Sequence, residues 1–304
     1  MRECRMASAP VIFDRALLRA RRRRAAALGA STFLLDRAAE ELADRLATVR
    51  RDFAWAVDLA TPSDTVRRVL AGNRKVGTIV AADALAGAGA EGVLAVAADP
   101  EALPFRDGSL DLVVSALALQ FVNDLPGTLV QIRRALRPDG LFIAALLGGD
   151  TLSELRQAFA QAESEIEGGL SPRVAPFADL RELGSLMQRA GFALPVTDVD
   201  RLTVRYASPL ALMHDLRRMG ATNALIERSR RPLRRATLER MTDIYLARFV
   251  DPDRRIRATF EIVHLSGWAP HESQQQPLAP GSARARLADA LGTREQSAGE
   301  KPGR

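Results

Sequence analysis

With 304 residues, 47% of them hydrophobic and 26% charged, the chain can bury one large core with an appended cap. A single cysteine, Cys4, excludes a disulfide framework and a thiolate metal site; His214, His264 and His271 are too widely spaced to form a ligand pair, so no metal is expected. The formal charge is +6, and arginine supplies all but two of the 43 basic residues. The run RARRRR at 19–24 therefore reads as compositional bias on a solvated helix, and nucleic-acid binding is not expected.

From the amino end, MRECRMASAP lacks the apolar segment of a secretory signal, and no apolar run reaches the roughly 18 residues needed to span a bilayer. A cytoplasmic location is the expectation. Residues 1–50 form an N-terminal helical segment, with one or two helices over 13–50; apolar spacing in LLDRAAEELADRLATV (34–49) lays that stretch on a sheet. Residues 51–272 then alternate apolar runs with helical patterns. The runs AWAVD, GTIVAAD and VLAVAAD each end in a carboxylate, at Asp58, Asp83 and Asp99. Continuous Val/Ile/Leu/Ala runs are buried parallel strands, and ligands of such sheets lie beyond the strands' carboxyl ends. Three acids at three strand ends would line one crevice.

Between these strands, Thr61 reads as an N-cap, Pro62 as the first helical residue and Asp64 as the partner of a capping box, giving a helix Pro62–Leu70 that stops at Gly72 and Asn73. Residues 83–92, with three glycines, should be short or irregular. Leu110–Ser115 is a fourth strand, Leu125–Leu136 a helix stopped by Pro138-Asp139-Gly140, and Leu141–Leu147 a fifth strand. Thr151 with Glu154 forms a second capping box for a helix over 152–167. A helix follows over Ala178–Ala190, then alternating strand material over Leu194–Tyr206, helices over 209–249, and a last strand, Ile256–Trp268. Segments 150–192 and 209–249 are expected to cap the crevice. The Gln/Pro/Gly/Arg-rich stretch 273–304 is expected to be a disordered tail, with a helical turn near 283–291.

The order of strand-end acids, followed by LPF (103–105), LDLVVS (110–115) and LRPDG (136–140), resembles the class I S-adenosylmethionine-dependent methyltransferases. Within them, FDRALLRARRRRAA (13–26), LPFRDGSLDLVVS (103–115), FVNDLP (121–126), RPDGLFIAALLGGDTLSELR (137–156), MGATNA (219–224) and GWAPHES (267–273) resemble the complex I assembly-factor methyltransferases, cousins of the methyltransferase of biotin synthesis. The resemblance implies a Rossmann-like α/β fold: a mostly parallel seven-stranded sheet with helices on both faces, an antiparallel last strand and a helical cap. It implies S-adenosylmethionine as cofactor, with Asp58, Ala60 and Thr61 around its methionine part and Asp83 on the ribose. Asp99 and Pro100 fall at the adenine, and Ser115, Leu117 and Gln120 after strand 4. No catalytic side chain is assigned. The acceptor is a protein or an acyl-carrier type; the other function is a non-methylating factor in complex I biogenesis, and some eukaryotic relatives are associated with arginine hydroxylation. A nicotinamide oxidoreductase is disfavoured, because no GxGxxG follows the first strand.

One departure stands out. Members of the superfamily place glycines after strand 1, where the backbone approaches the ligand, but this chain reads Asp58-Leu59-Ala60-Thr61-Pro62-Ser63-Asp64. A helix capped by its own side chains, with Asp64 facing the cofactor's carboxylate, predicts weak cofactor binding. Gln120-Phe121 stands where relatives show His-Trp; an amide does not titrate, so no general base is available there, while Phe121 offers an aromatic wall. Asp150, Glu154, Arg156 and Glu167 are candidates for contact with the acceptor.

Overall fold

The computed structural model describes residues 10–85, 94–275 and 287–294. Seven strands form one sheet. Apolar runs make β1 (Phe53–Leu59), β2 (Val76–Asp83), β3 (Leu94–Ala97), β4 (Leu110–Ala116) and β5 (Leu136–Leu147), all parallel. After them come β6 (Ala193–Tyr206) and β7 (Ile256–Trp268); β7 runs antiparallel between β5 and β6, so the order is β3-β2-β1-β4-β5-β7-β6. The chain reverses direction across the sheet between β1 and β4, and the crevice of an open α/β sheet opens at such a point. This is the expected mostly parallel α/β architecture, with the antiparallel last strand next to the edge strand β6.

Helices cover both faces. α1 (Arg15–Ala27) and α2 (Phe33–Thr48) are separate helices; α2 buries Leu35, Ala38, Leu42 and Leu46, as its spacing predicts, and packs with α3 (Thr65–Ala71) on Leu112, Leu141 and Ile143. On the opposite face, α4 (Leu125–Ala135) and α6 (Leu180–Arg189) bury Leu129, Ile132, Leu183 and Met187 against Phe142 and Leu146. Of the segments read as a cap, α5 (Ser153–Ile166), α7 (Pro209–Arg218) and α8 (Arg235–Arg248) share a third apolar cluster around Tyr245 and Phe260. α6 lies on the sheet instead. Residues His271–Arg304 form a second unit, in which α9 (Leu287–Leu291) is described. Most of the stretch expected to be disordered, most of segment 83–92 expected to be irregular, and Cys4 lie outside the described residues.

Several local expectations are corrected. α3 starts at Thr65, not Pro62, and its N-cap is Asp64, whose side chain makes no capping bond. Pro138-Asp139-Gly140 does not separate α4 from β5; it lies inside β5, where pairing shifts from Leu110–Leu136 to Leu112–Leu141 and Asp139 takes φ +64°. That is a bulge, with one strand carrying extra residues against its partner. The capping box at Thr151 is absent: α5 is entered through Leu152 at φ +56°. Thr151 and Glu154 are drawn instead to β7. Thr151 Oγ1 donates to the Glu261 carbonyl and accepts the Glu261 N–H, and Glu154 accepts from the Thr259 N–H and hydroxyl.

Candidate active site

The carboxyl ends of β1 and β4 fix the centre of the crevice. The Ser115 hydroxyl donates to the Leu59 carbonyl at 2.8 Å, and the Ala116 N–H donates to Thr61 Oγ1 at 3.2 Å. Both side chains, buried, tie the two strand ends together. Thr61 therefore holds β4, where the sequence had suggested a cap for the following helix. Ala60 has φ +59°, the left-handed conformation that favours glycine, and its N–H donates to the Ala82 carbonyl. The backbone thus follows the glycine-type path without a glycine. Leu117, at φ +49°, and Leu152 repeat the feature after β4 and β5, and such strain clusters where a ligand is held.

Asp58 is 1% exposed. Burial pushes its carboxyl up to about 6, against the opposing pull of Thr61 and Arg67. Arg67 donates to Oδ2 at 2.7 Å, and Oδ1 is buried without a hydrogen-bond partner among the described residues. Asp83 and Asp99 stand at the ends of β2 and β3. Asp83 Oδ1 accepts from the Leu85 N–H. Asp99 Oδ1 accepts from Arg15 at 2.6 Å and from the Glu101 N–H at 2.9 Å, and Oδ2 has no hydrogen bond among the described residues. Pro100, buried, fixes that turn. The three acids therefore do stand at neighbouring strand ends, but Asp58 is a buried anchor, whereas Asp99, 40% exposed at its side chain, is accessible. Asp64 is turned away: its side chain is 61% exposed and paired with Arg68 at 3.3 Å, so solvent screens the repulsion foreseen from it.

Beyond β4, a single turn of 3-10 helix, Leu119–Phe121, aims Gln120 into a cavity of about 310 Å³. The Gln120 Oε1 atom is buried without a partner. Phe121 is the aromatic wall the sequence offered, packed edge-on against Phe13 at 5.6 Å and Phe177 at 6.2 Å. Leu117, Leu152, Leu155, Phe159 and Phe260 complete an apolar interior, while Pro62 and Ser63 bring the β1–α3 turn to the same space. Among the described residues, the cavity lining holds four arginines, Arg22, Arg173, Arg217 and Arg218, and no Asp, Glu, His, Lys, Tyr or Cys. Among the described residues, no group of three His, Cys, Asp or Glu side chains could hold a metal.

The acceptor contacts named from sequence are placed elsewhere. Asp150 pairs with Arg201, Glu154 is bound to Thr259, and Glu167 accepts from Thr237. Arg156 donates to the carbonyls of Gly149, Thr151 and Ala175, so it ties the cavity wall without lining it. The residue that sequence reading missed is Arg22. Its side chain is 14% exposed, 3.9 Å from Asp83 Oδ2, with Nη1 3.4 Å from the Ala60 carbonyl. Burial draws its pKa down, and Asp83 pulls the other way. The signal was its place on α1, one turn beyond buried Leu18 and one short of Ala25.

The donor set fits S-adenosylmethionine. A carboxylate oxygen is open on Asp99 for an amine, Asp83 offers a carboxylate for sugar hydroxyls, and orphaned polar atoms on Asp58 and Gln120 flank the crevice. Comparison with known proteins agrees. Residues 57–144 match the methyltransferase domain family. A Danio rerio protein, "Arginine-hydroxylase NDUFAF5, mitochondrial", is 36% identical over 91% of this chain and 89% of its own length. The Homo sapiens protein of the same name is 38% identical over 90% of this chain and 81% of its own. A malonyl-[acyl-carrier protein] O-methyltransferase of Laribacter hongkongensis is 41% identical over 61% of this chain and 60% of its own. A crystal structure of a Bacillus halodurans protein described as a methyltransferase superposes with a TM-score of 0.51 at 16% identity, covering 76% of this chain and 98% of that one. That likeness shows the fold. The cytoplasmic expectation is corrected by these relatives, since those spanning nine-tenths of the chain are mitochondrial by name. Sheet order, strand-end acids and full-length similarity together place the chain in the S-adenosylmethionine-dependent methyltransferase family, in the group of the NDUFAF5 proteins.

Proposed function

We propose that this protein methylates a carboxylate carried on an apolar stem. The observation that supports it is the lining of the cavity: four arginines and no titratable base. S-adenosylmethionine supplies a methyl group on a sulfonium, a leaving group that needs no proton. What remains for the protein is to align the acceptor and exclude water. An amine, guanidinium or phenol reaches its nucleophilic form by losing a proton, and Gln120 cannot take one. A carboxylate is already a nucleophile at neutral pH, and arginines orient it by paired hydrogen bonds. Arg173 is paired with Glu163, and the charges of Arg22, Arg217 and Arg218 oppose a cationic acceptor. The O-methyltransferase relative, whose named acceptor is a malonyl group on a carrier protein, supports this class. Exposed Arg217 and Arg218 on the cavity lining suit an acidic carrier.

The test uses methyl-labelled S-adenosylmethionine with malonyl-acyl-carrier protein, against an arginine-containing peptide. Base-labile label on the malonyl group is expected. Base-stable label on the peptide, or no label on either while cofactor binds, would overturn the reading.

A further inference from the structure

Arg22 is a largely buried cation, 14% exposed at its side chain, with few contacts to hold it among the described residues. It lines the cavity beside Pro62 and Ser63, and its contacts are a 3.4 Å bond to the Ala60 carbonyl and an approach of 3.9 Å to Asp83. A buried guanidinium is stable when hydrogen-bonded to an anion, and charge-assisted bonds of that kind are about 2.7–2.9 Å long. Neither contact reaches that length. In the neighbouring turn the Ala60 N–H is spent on Ala82, the Thr65 N–H donates to Ser63 Oγ at 3.2 Å, and Pro62 interrupts the run of N–H groups that could turn towards an anion.

We infer that Arg22 is the carboxylate anchor of this cavity, reaching it from α1 beside the turn that Pro62 interrupts. The inference rests on the methyltransferase reading, and it reassigns one residue of an arginine run to the site. The carboxylate has two sources: the amino-acid end of the cofactor or the acceptor. α1 is well placed to deliver the group. Two turns earlier, Arg15 pairs with Asp99 and Glu101, and Asn123 Oδ1 accepts the N–H groups of Ile12 and Phe13 just before the helix. Arg21 donates to the Asn223 carbonyl on the cavity's far wall. The helix is thereby pinned on two sides, and Arg22, the residue after Arg21, lines the cavity.

Calorimetry on the wild type, Arg22→Gln and Arg22→Lys, with three probes, tests this. The probes are S-adenosylmethionine, 5′-methylthioadenosine (which lacks the amino-acid carboxylate) and malonate added to protein saturated with methylthioadenosine. Arg22→Gln should weaken S-adenosylmethionine about tenfold or more while methylthioadenosine is unchanged, if the cofactor's carboxylate is the ligand. If the loss falls on malonate alone, the acceptor's carboxylate is the ligand, and the anchor stands. Arg22→Lys, which keeps the charge and loses the fork, should fall between. Equal weakening of methylthioadenosine would mean a structural role, and unchanged binding of both carboxylate probes would mean none; either overturns the inference. A wild type that binds neither nucleoside overturns the methyltransferase reading itself.

Discussion

Asp58 should make the protein less stable as pH rises, and replacing it with Asn should reverse that. Its carboxyl is 1% exposed, and burial raises its pKa from 3.8 to about 6. Between those values the native state holds a proton that the unfolded chain has lost. Stability contributed by the neutral acid is therefore fully present below about pH 4 and lost as pH rises through about 6. A shift of about two units corresponds to about 3 kcal/mol. Arg67, which donates to Oδ2, already contributes to that balance and does not cancel the burial. Asp58→Asn removes the titration and keeps an acceptor for Arg67. Its new amide N–H₂ faces a cation, which takes back about 1 kcal/mol, so a gain of about 2 kcal/mol is expected near pH 8 and none near pH 3.5. Urea denaturation of both proteins across that range isolates the term, because every other carboxylate is common to the pair. An Asn variant less stable than the wild type at neutral pH, or a gap that ignores pH, would refute the reasoning. S-adenosylmethionine binding measured on the same variant shows whether the group that destabilises the fold serves the site.

Three further outcomes follow from particular contacts. Asp99→Ala should weaken S-adenosylmethionine by about 10- to 150-fold in calorimetry, the value of a hydrogen bond to a charged acceptor, and unchanged affinity would place the adenine elsewhere. Gln120→Leu removes a buried amide oxygen that has no partner; thermal or urea denaturation should show a gain of about 1 kcal/mol, with loss of methyl transfer to the malonyl acceptor. Gly77→Ala should destabilise by about 1–3 kcal/mol in the same assay, since its Cβ would lie 2.8 Å from the Ala54 carbonyl oxygen across the β1–β2 pair.

The sheet was legible because its strands are continuous apolar runs buried on both sides, and each of β1 and β2 ends at or beside an acid where sequence reading put it. What could not be read were choices made by distant partners. Thr61 satisfies the local rule for an N-cap, yet it bonds Ala116, brought beside it by the β1–β4 pairing. Thr151 and Glu154 satisfy the rule for a capping box, yet both bond β7, more than a hundred residues away in the chain. In each case a tertiary bond outcompetes a local cap, and such competition leaves no trace in a short window. Arg22 was hidden for the opposite reason: four neighbouring arginines made it look like one more solvated charge.

The glycine-free turn is the place where structure changes the argument most. Read locally, it predicts a helix that begins early and a crevice that Asp64 guards. The structure delays α3 to Thr65, sends Asp64 outward to Arg68 and holds Ala60 in the left-handed region that a glycine would choose freely. For alanine that conformation costs roughly 1–2 kcal/mol. It persists because Ala60 donates to Ala82 and because Ser115 and Thr61 lock β1 to β4 on either side. The path of the turn is therefore imposed by the sheet, and glycine is not required to define it. What proline removes is one N–H of the turn, and a largely buried guanidinium from α1 lies beside it, with Nη1 3.4 Å from the Ala60 carbonyl. A chain that keeps the strained path and places a cation beside it has kept a site for an anion.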